Sequence, residues 1–220
     1  WSSDVCSSDL LYEFHLKALN GRDVTIPGRS AHHGFSDLGR SERAAKFELT
    51  LEADGPLLVR ARCVSPDGVE KRMTFWANRS WFEVALDRPV GYYWDFDDDA
   101  LMSAGSATPG RATFSDGHQA DVGKAGELSL ARPGTTWGFK RREDGLTLAL
   151  ITPGAGCTHR VGPGGGMGGV GVEGGGEAQH FVTLCDVIGD DPAGRCRSLD
   201  ATLDLHSPPK VFAPPAEEKP

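Results

Sequence analysis

From residue 45 to about 97 apolar and polar side chains alternate, and this alternation narrows the possible folds more than any other feature. Phe47, Leu49 and Leu51 fall on one face, with Lys46, Glu48 and Thr50 on the other. A period of two sends successive side chains to opposite faces of a strand, so one face suits a core and the other suits water or a partner. The turn Ala53-Asp54-Gly55-Pro56 ends the run, and a strand is expected over 57–64. Ser65-Pro66-Asp67-Gly68 then places proline second and glycine last, as a β-turn favours. Further strands are expected at about 69–76, 81–87 and 90–97, which predicts an antiparallel meander with one buried face.

The rest of the chain supports the same class. With 29 glycines and 14 prolines in 220 residues, it is punctuated too densely for a helical protein. A strand is expected at 11–18 and a long loop over 19–44. A second loop, 98–110, precedes short strands near 111–114, 126–131, 135–141 and 145–151, the last two joined by the hairpin signal Asp144-Gly145. Residues 153–176 are extremely glycine-rich and are expected to form a flexible loop, one that lies over a binding cleft. After a strand near 178–184, Asp191 as N-cap and Pro192 at the first helical position predict a helix over 192–204. The tail from Ser207 is proline-rich and charged, and is expected to be disordered. The expected fold is all-β: an antiparallel β-sandwich over 11–206 with one short C-terminal helix, a barrel being the alternative.

Ser2 to Leu10 reads Ser-Ser-Asp-Val-Cys-Ser-Ser-Asp-Leu, which resembles a translated sequencing adapter. Residues 1–10 are therefore expected to be an assembly artefact that contributes nothing to the fold. Cys63, Cys157, Cys185 and Cys196 remain, without Cys-x-x-Cys spacing, and disulfides and buried thiols both stay open. The formal charge of −8 with no basic stripe argues against nucleic acid as partner. The longest apolar run, Leu146 to Ile151, is far short of the ~18 residues of a membrane span, so no membrane partner is expected.

The stretch Glu70 to Asp97 carries the most chemistry. Val69, Met73 and Phe75 share one face of its first strand; Phe82, Val84 and Leu86 do so in its second, and Tyr92, Trp94 and Phe96 in its third. The opposite face then collects Arg72, Trp76, Trp81, Glu83, Tyr93, Asp95 and Asp97. If 77–80 form a hairpin loop, Trp76 and Trp81 are direct cross-strand neighbours. Large aromatics beside carboxylates and an arginine suit a sugar: the C–H face of a pyranose packs on a ring, and its hydroxyls bond to charged groups. The competing reading is that another domain covers this face and the tryptophans are core there.

The segment Phe75-Trp76-Ala77-Asn78-Arg79-Ser80-Trp81-Phe82-Glu83-Val84 resembles one found in the galactose-mutarotase-like large β-sandwich domains of bacterial carbohydrate-active enzymes. The resemblance covers about 30 residues and implies a supporting or substrate-facing sandwich beside a catalytic domain. On this reading the chain is a C-terminal fragment of a polysaccharide-degrading enzyme, a glycoside hydrolase or a polysaccharide lyase, secreted or periplasmic. Trp76, Trp81, Tyr93, Asp95 and Asp97 contact a polysaccharide or oligosaccharide, and Arg72 and Glu83 support them. The catalytic His and Glu motifs of true mutarotases are not recognisable, so no catalytic residue is assigned. The alternative is a non-catalytic structural or interaction domain whose aromatic face docks a missing N-terminal domain.

Other constellations are weaker. Asp95, Asp97, Asp98 and Asp99 could hold Ca²⁺ or supply an acid/base pair, or simply be a solvated strand end. Gly166-x-Gly168-x-x-Gly171 matches a dinucleotide fingerprint formally, but Val172-Glu173-Gly174-Gly175-Gly176 cannot start the helix that motif requires. Cys157 and His159 would share a strand face, but no four-ligand zinc set forms, and neither metal nor cofactor is expected. His180, in an apolar strand, reads as a core histidine.

Overall fold

Every residue of Leu146–Ile151 is buried, so this strand has neighbours on both edges and a layer on both faces. It is the centre around which the molecule is arranged. The computed structural model describes residues 14–17, 23–26, 31–35, 40–41, 48–64, 68–77, 79–88, 92–96, 110–122, 130–143, 145–154, 156–164, 167–173 and 180–204. Residues 1–10, Asp97 and the tail from 207 lie outside the described residues, together with the expectations made for them.

The larger sheet has nine strands. In spatial order they are β11 (Gln119–Val122), β10 (Gly110–Phe114), β13 (Trp137–Arg141), β14 (Leu146–Ile151), β17 (His180–Val187), β8 (Trp81–Leu86), β7 (Glu70–Trp76), β6 (Leu58–Val64) and β5 (Glu48–Asp54). The smaller sheet has six: β12 (Leu130–Thr135), β15 (Cys157–Gly164), β16 (Met167–Glu173), β9 (Tyr92–Phe96), β3 (Ala31–Phe35) and β4 (Arg40–Ser41). A separate hairpin pairs β1 (Phe14–Lys17) with β2 (Asp23–Ile26), and the helix α1 spans Pro192–Asp204. The described strand pairs are antiparallel, as the alternating pattern requires.

The two sheets pack face to face, which makes the fold a β-sandwich. Leu146, Leu148, Leu150, Phe181, Phe82, Val84 and Met73 from the larger sheet meet Cys157, Val161, Val170 and Val172 from the smaller one in a single core cluster. The sheets come close at Gly138: a Cβ there would stand 3.1 Å from the Cβ of His159. His159 is buried, with its Nδ1 2.9 Å from the Thr135 hydroxyl. That hydroxyl donates to the Arg132 carbonyl, so the ring N–H is the donor of the pair. Burial pushes the imidazole down to about 3, which keeps it neutral in the core.

A second core lies on the outer face of the larger sheet. The alternate residues Trp137 and Phe139, Ala149 and Ile151, and Val182 and Leu184 point away from the smaller sheet, and α1 covers them with Cys196 and Leu199. The helix starts where its capping residues predict. Asp191 Oδ1 accepts the Gly194 N–H at 2.7 Å, and the Asp191 carbonyl accepts from Arg195. A Cβ on Gly194 would meet the Asp191 carboxylate, which would have to shift from its present capping position.

Three expectations are corrected. The region 19–44, read as a loop, contains β2, β3 and β4. The glycine-rich region 153–176, also read as a loop, contains the paired strands β15 and β16; Gly168 and Gly171 lie within β16. The meander ends at β8, because β9 crosses to the smaller sheet and β17 takes the place beside β8. Cys63, Cys157 and Cys196 are buried, and burial raises the thiol of Cys196 to about 12. Among the described residues no helix is long and apolar enough to cross a membrane.

Candidate functional site

Because α1 lies over β13, β14 and β17, the outer face of β7, β6 and β5 is outside the second core, and β8 meets that core at Trp81. The site lies on this half, outside the helix-covered core. The last bonded pair between β7 and β8 is Phe75 with Phe82, whose rings stack at 4.8 Å between centroids. One step further along the same register, Trp76 lies across from Trp81, as the hairpin expectation requires. Trp76 is 40% exposed. Trp81 is half-buried at the seam, packed against the second core, and the Arg79 guanidinium lies 5.9 Å from its ring centroid.

Glu83 follows on the same face of β8, opposite Thr74 of β7 and Val182 of β17. His180 of β17 brings its Nε2 to 3.8 Å from Glu83 Oε2, an ion-pair separation, with both side chains about one-quarter exposed. The interaction with His180 holds the Glu83 carboxyl below the usual carboxylate range. Burial opposes this, while the Trp76 indole N–H and the charge of Arg60 add to it. Arg60 of β6 is fixed by donating to the Thr74 hydroxyl at 3.2 Å. The result is a polar surface: an exposed indole, a second indole at its side, and an ionised carboxylate with a histidine and an arginine around it.

The expected site residues separate into three groups. Trp76, Trp81 and Glu83 come together. Arg72 shares their sheet face but is bound into an ion-pair ladder, with its Nη2 2.8 Å from Glu70 and its Nε 3.1 Å from Glu52. Arg62 completes the ladder at 2.6 Å from Glu70, so Arg72 braces β5, β6 and β7 and does not stand beside the tryptophans. Tyr93 and Asp95 are corrected: β9 belongs to the smaller sheet, where Tyr93 pairs with Gly171 and Asp95 with Gly169, so neither adjoins β8. Asp97 lies outside the described residues.

Two residues of the site were missed. His180 reads as core because Phe181, Val182 and Leu184 follow it. Its parity shows otherwise: it shares a face with Val182 and Leu184, and on β17 it sits beyond the reach of the helix. Arg60 alternates with Ala61 and Cys63, which are buried, and this already assigns it to the outer face. Among the described residues no group of three potential metal ligands forms. No protein-family model matches this chain, and the curated proteins contain no match to it.

Proposed function

We propose that the half of the larger sheet's outer face outside the helix-covered core contacts carbohydrate through Trp76, Trp81, Glu83 and His180. The observation that carries this reading is the exposed Trp76 indole beside a positioned, ionised Glu83 carboxylate. A ring face left in water is available to stack on a ligand. A pyranose offers one apolar face for such a ring and hydroxyls for a carboxylate, an imidazole and a guanidinium. The wider reading rests on the same face: the sandwich serves a polysaccharide-degrading enzyme, a glycoside hydrolase or polysaccharide lyase, as a sugar-contacting part.

The test is retardation of the protein in affinity gels cast with plant, algal and bacterial polysaccharides. Selective retardation that the folded double variant Trp76→Ala/Trp81→Ala abolishes supports the assignment. Retention unchanged in that variant removes it.

One observation favours a second reading, in which the face docks another domain. Leu57 is 74% exposed, and its carbonyl accepts the Ala77 N–H at 2.9 Å, so an apolar side chain stands in water at the same end of the sheet as Trp76. A sugar has no use for that leucine, whereas a protein surface does. Loss of partner binding in Leu57→Asp with glycan retention intact would separate the two uses.

A further inference from the structure

The strand order of the larger sheet ends at β5. Leu49 and Leu51 of β5 pair with Cys63 and Ala61 of β6, which are buried in the core between the sheets, so both positions lie on the core-side face. Leu51 is nevertheless 48% exposed, because the core stops short of it. Glu48, Thr50 and Glu52 take the outer face, and all three are exposed. The register with β6 is regular over Glu48–Leu51 and shifts between Leu51 and Ala53. An edge strand turns alternate backbone N–H and C=O groups away from its one neighbour, so these four residues are a template for a further strand.

The same chain carries a strand that fits it. Among the described strands, β1 and β2 form a sheet of their own, and a two-stranded hairpin is only marginally stable in water without a third strand or an apolar surface. The register sets Phe14 opposite Ile26 and Leu16 opposite Val24, four apolar residues on one face of the hairpin. His15 and Lys17 alternate with them along β1. Four residues of alternating apolar and basic character thus match the four of β5, which alternate apolar with acidic or neutral. Antiparallel pairing sets Phe14 against Leu51, His15 against Thr50, Leu16 against Leu49 and Lys17 against Glu48, joining apolar to apolar and opposite charge to opposite charge. A second β5 is a poorer partner: paired about Thr50, it would set Glu48 against Glu52, and like charges facing each other repel.

Within one chain β1 pairs with β2 and β5 with β6, in separate sheets, which leaves the two matching edges for another molecule. We propose that two copies of this chain form a dimer by exchanging hairpins, β1 of each pairing antiparallel with β5 of the other. The exchange is reciprocal, so it closes at two copies. It extends the larger sheet at its edge and makes no use of the Trp76 face.

The test is sedimentation of the full chain over a range of concentrations. The parent is expected to be a dimer, and Lys17→Glu or Glu48→Lys alone should raise its dissociation constant at least tenfold. An equimolar mixture of the two variants should return to within a few-fold of the parent. In the mixed dimer the two substitutions face each other at one interface, and the original Lys17 and Glu48 meet at the other. Leu51→Lys should give a monomer with unchanged circular dichroism. A parent that stays monomeric at every concentration overturns the proposal. So does a dimer that neither charge variant weakens, and so does a mixture no tighter than the single variants, which would leave the Lys17–Glu48 contact between copies without support.

Discussion

The two halves of the larger sheet's outer face are built from the same alternating strands and come to opposite ends. Under α1, Trp137 is 3% exposed and packs with Phe139, Ile151 and Leu184 in a dry layer. On the other half, Trp76 is 40% exposed and shares its face with Thr74, Glu83 and, further along the strands, the Arg62–Glu70–Arg72 ladder. One tryptophan is core and the other is surface, although both occur in β-strands of the same sheet. What separates them is one helix, and the helix starts where it does because Asp191, Pro192 and Gly194 cap it there. A local capping signal thus decides which part of a long sheet becomes core and which stays outside it.

This contrast has consequences of graded size. The largest is expected for Trp137→Ala, which empties the dry half and should cost about 3–5 kcal/mol in denaturant unfolding. A loss near zero would mean that α1 does not seal that face.

The next concerns acid. His159 is neutral in the fold, with its pKa near 3, against an ordinary value of 6.5. Between these values the unfolded chain binds the proton and the folded one does not, so stability falls as pH drops from about 6.5 towards about 3. At pH 4.5 the loss should be about 2–3 kcal/mol relative to pH 7. Unfolding midpoints at the two values check this, and His159→Gln should flatten the dependence. Glu83, with its lowered pKa, stabilises above the usual carboxylate range, and that contribution disappears as pH falls through its folded value. Glu83→Gln should therefore reduce sensitivity only at the acid end, where His159→Gln retains it.

Asp191→Ala removes the cap and should cost about 1 kcal/mol. It should also loosen the covered half before the open one, visible as faster hydrogen exchange in β13 and β14 than in β6 and β7. The smallest effect is expected for Trp76→Ala, under about 1 kcal/mol, because an exposed side chain leaves little cavity behind.

Much of this architecture was legible in advance. The strands expected over 57–64, 69–76, 81–87 and 90–97 occur as Leu58–Val64, Glu70–Trp76, Trp81–Leu86 and Tyr92–Phe96, and the helix over 192–204 as Pro192–Asp204. These segments alternate strongly or carry a cap. In β15 and β16 glycine dilutes the pattern, yet Cys157, His159 and Val161, then Val170 and Val172, alternate and are all buried. Partnership was harder to read. Alternation tells which face of a strand is apolar, but not which sheet receives it, so β9 was placed beside β8. Its actual position there is held by β17, about a hundred residues later in the chain, where Leu184 pairs with Trp81. The same long-range pairing delivers His180 to Glu83, and so that half of the site had no local signature. Lys71 and Lys140, both fully buried among core-facing positions, are further departures that a binary pattern does not foresee.

The most direct measurement pairs stability with retention for Trp76→Ala alone, on whichever polysaccharide retards the parent protein. If the open half is a recognition surface, the denaturation midpoint stays within error of the parent and retardation falls at least tenfold. An undiminished retardation would contradict the assignment, and so would a stability loss as large as that of Trp137→Ala, which would make Trp76 core.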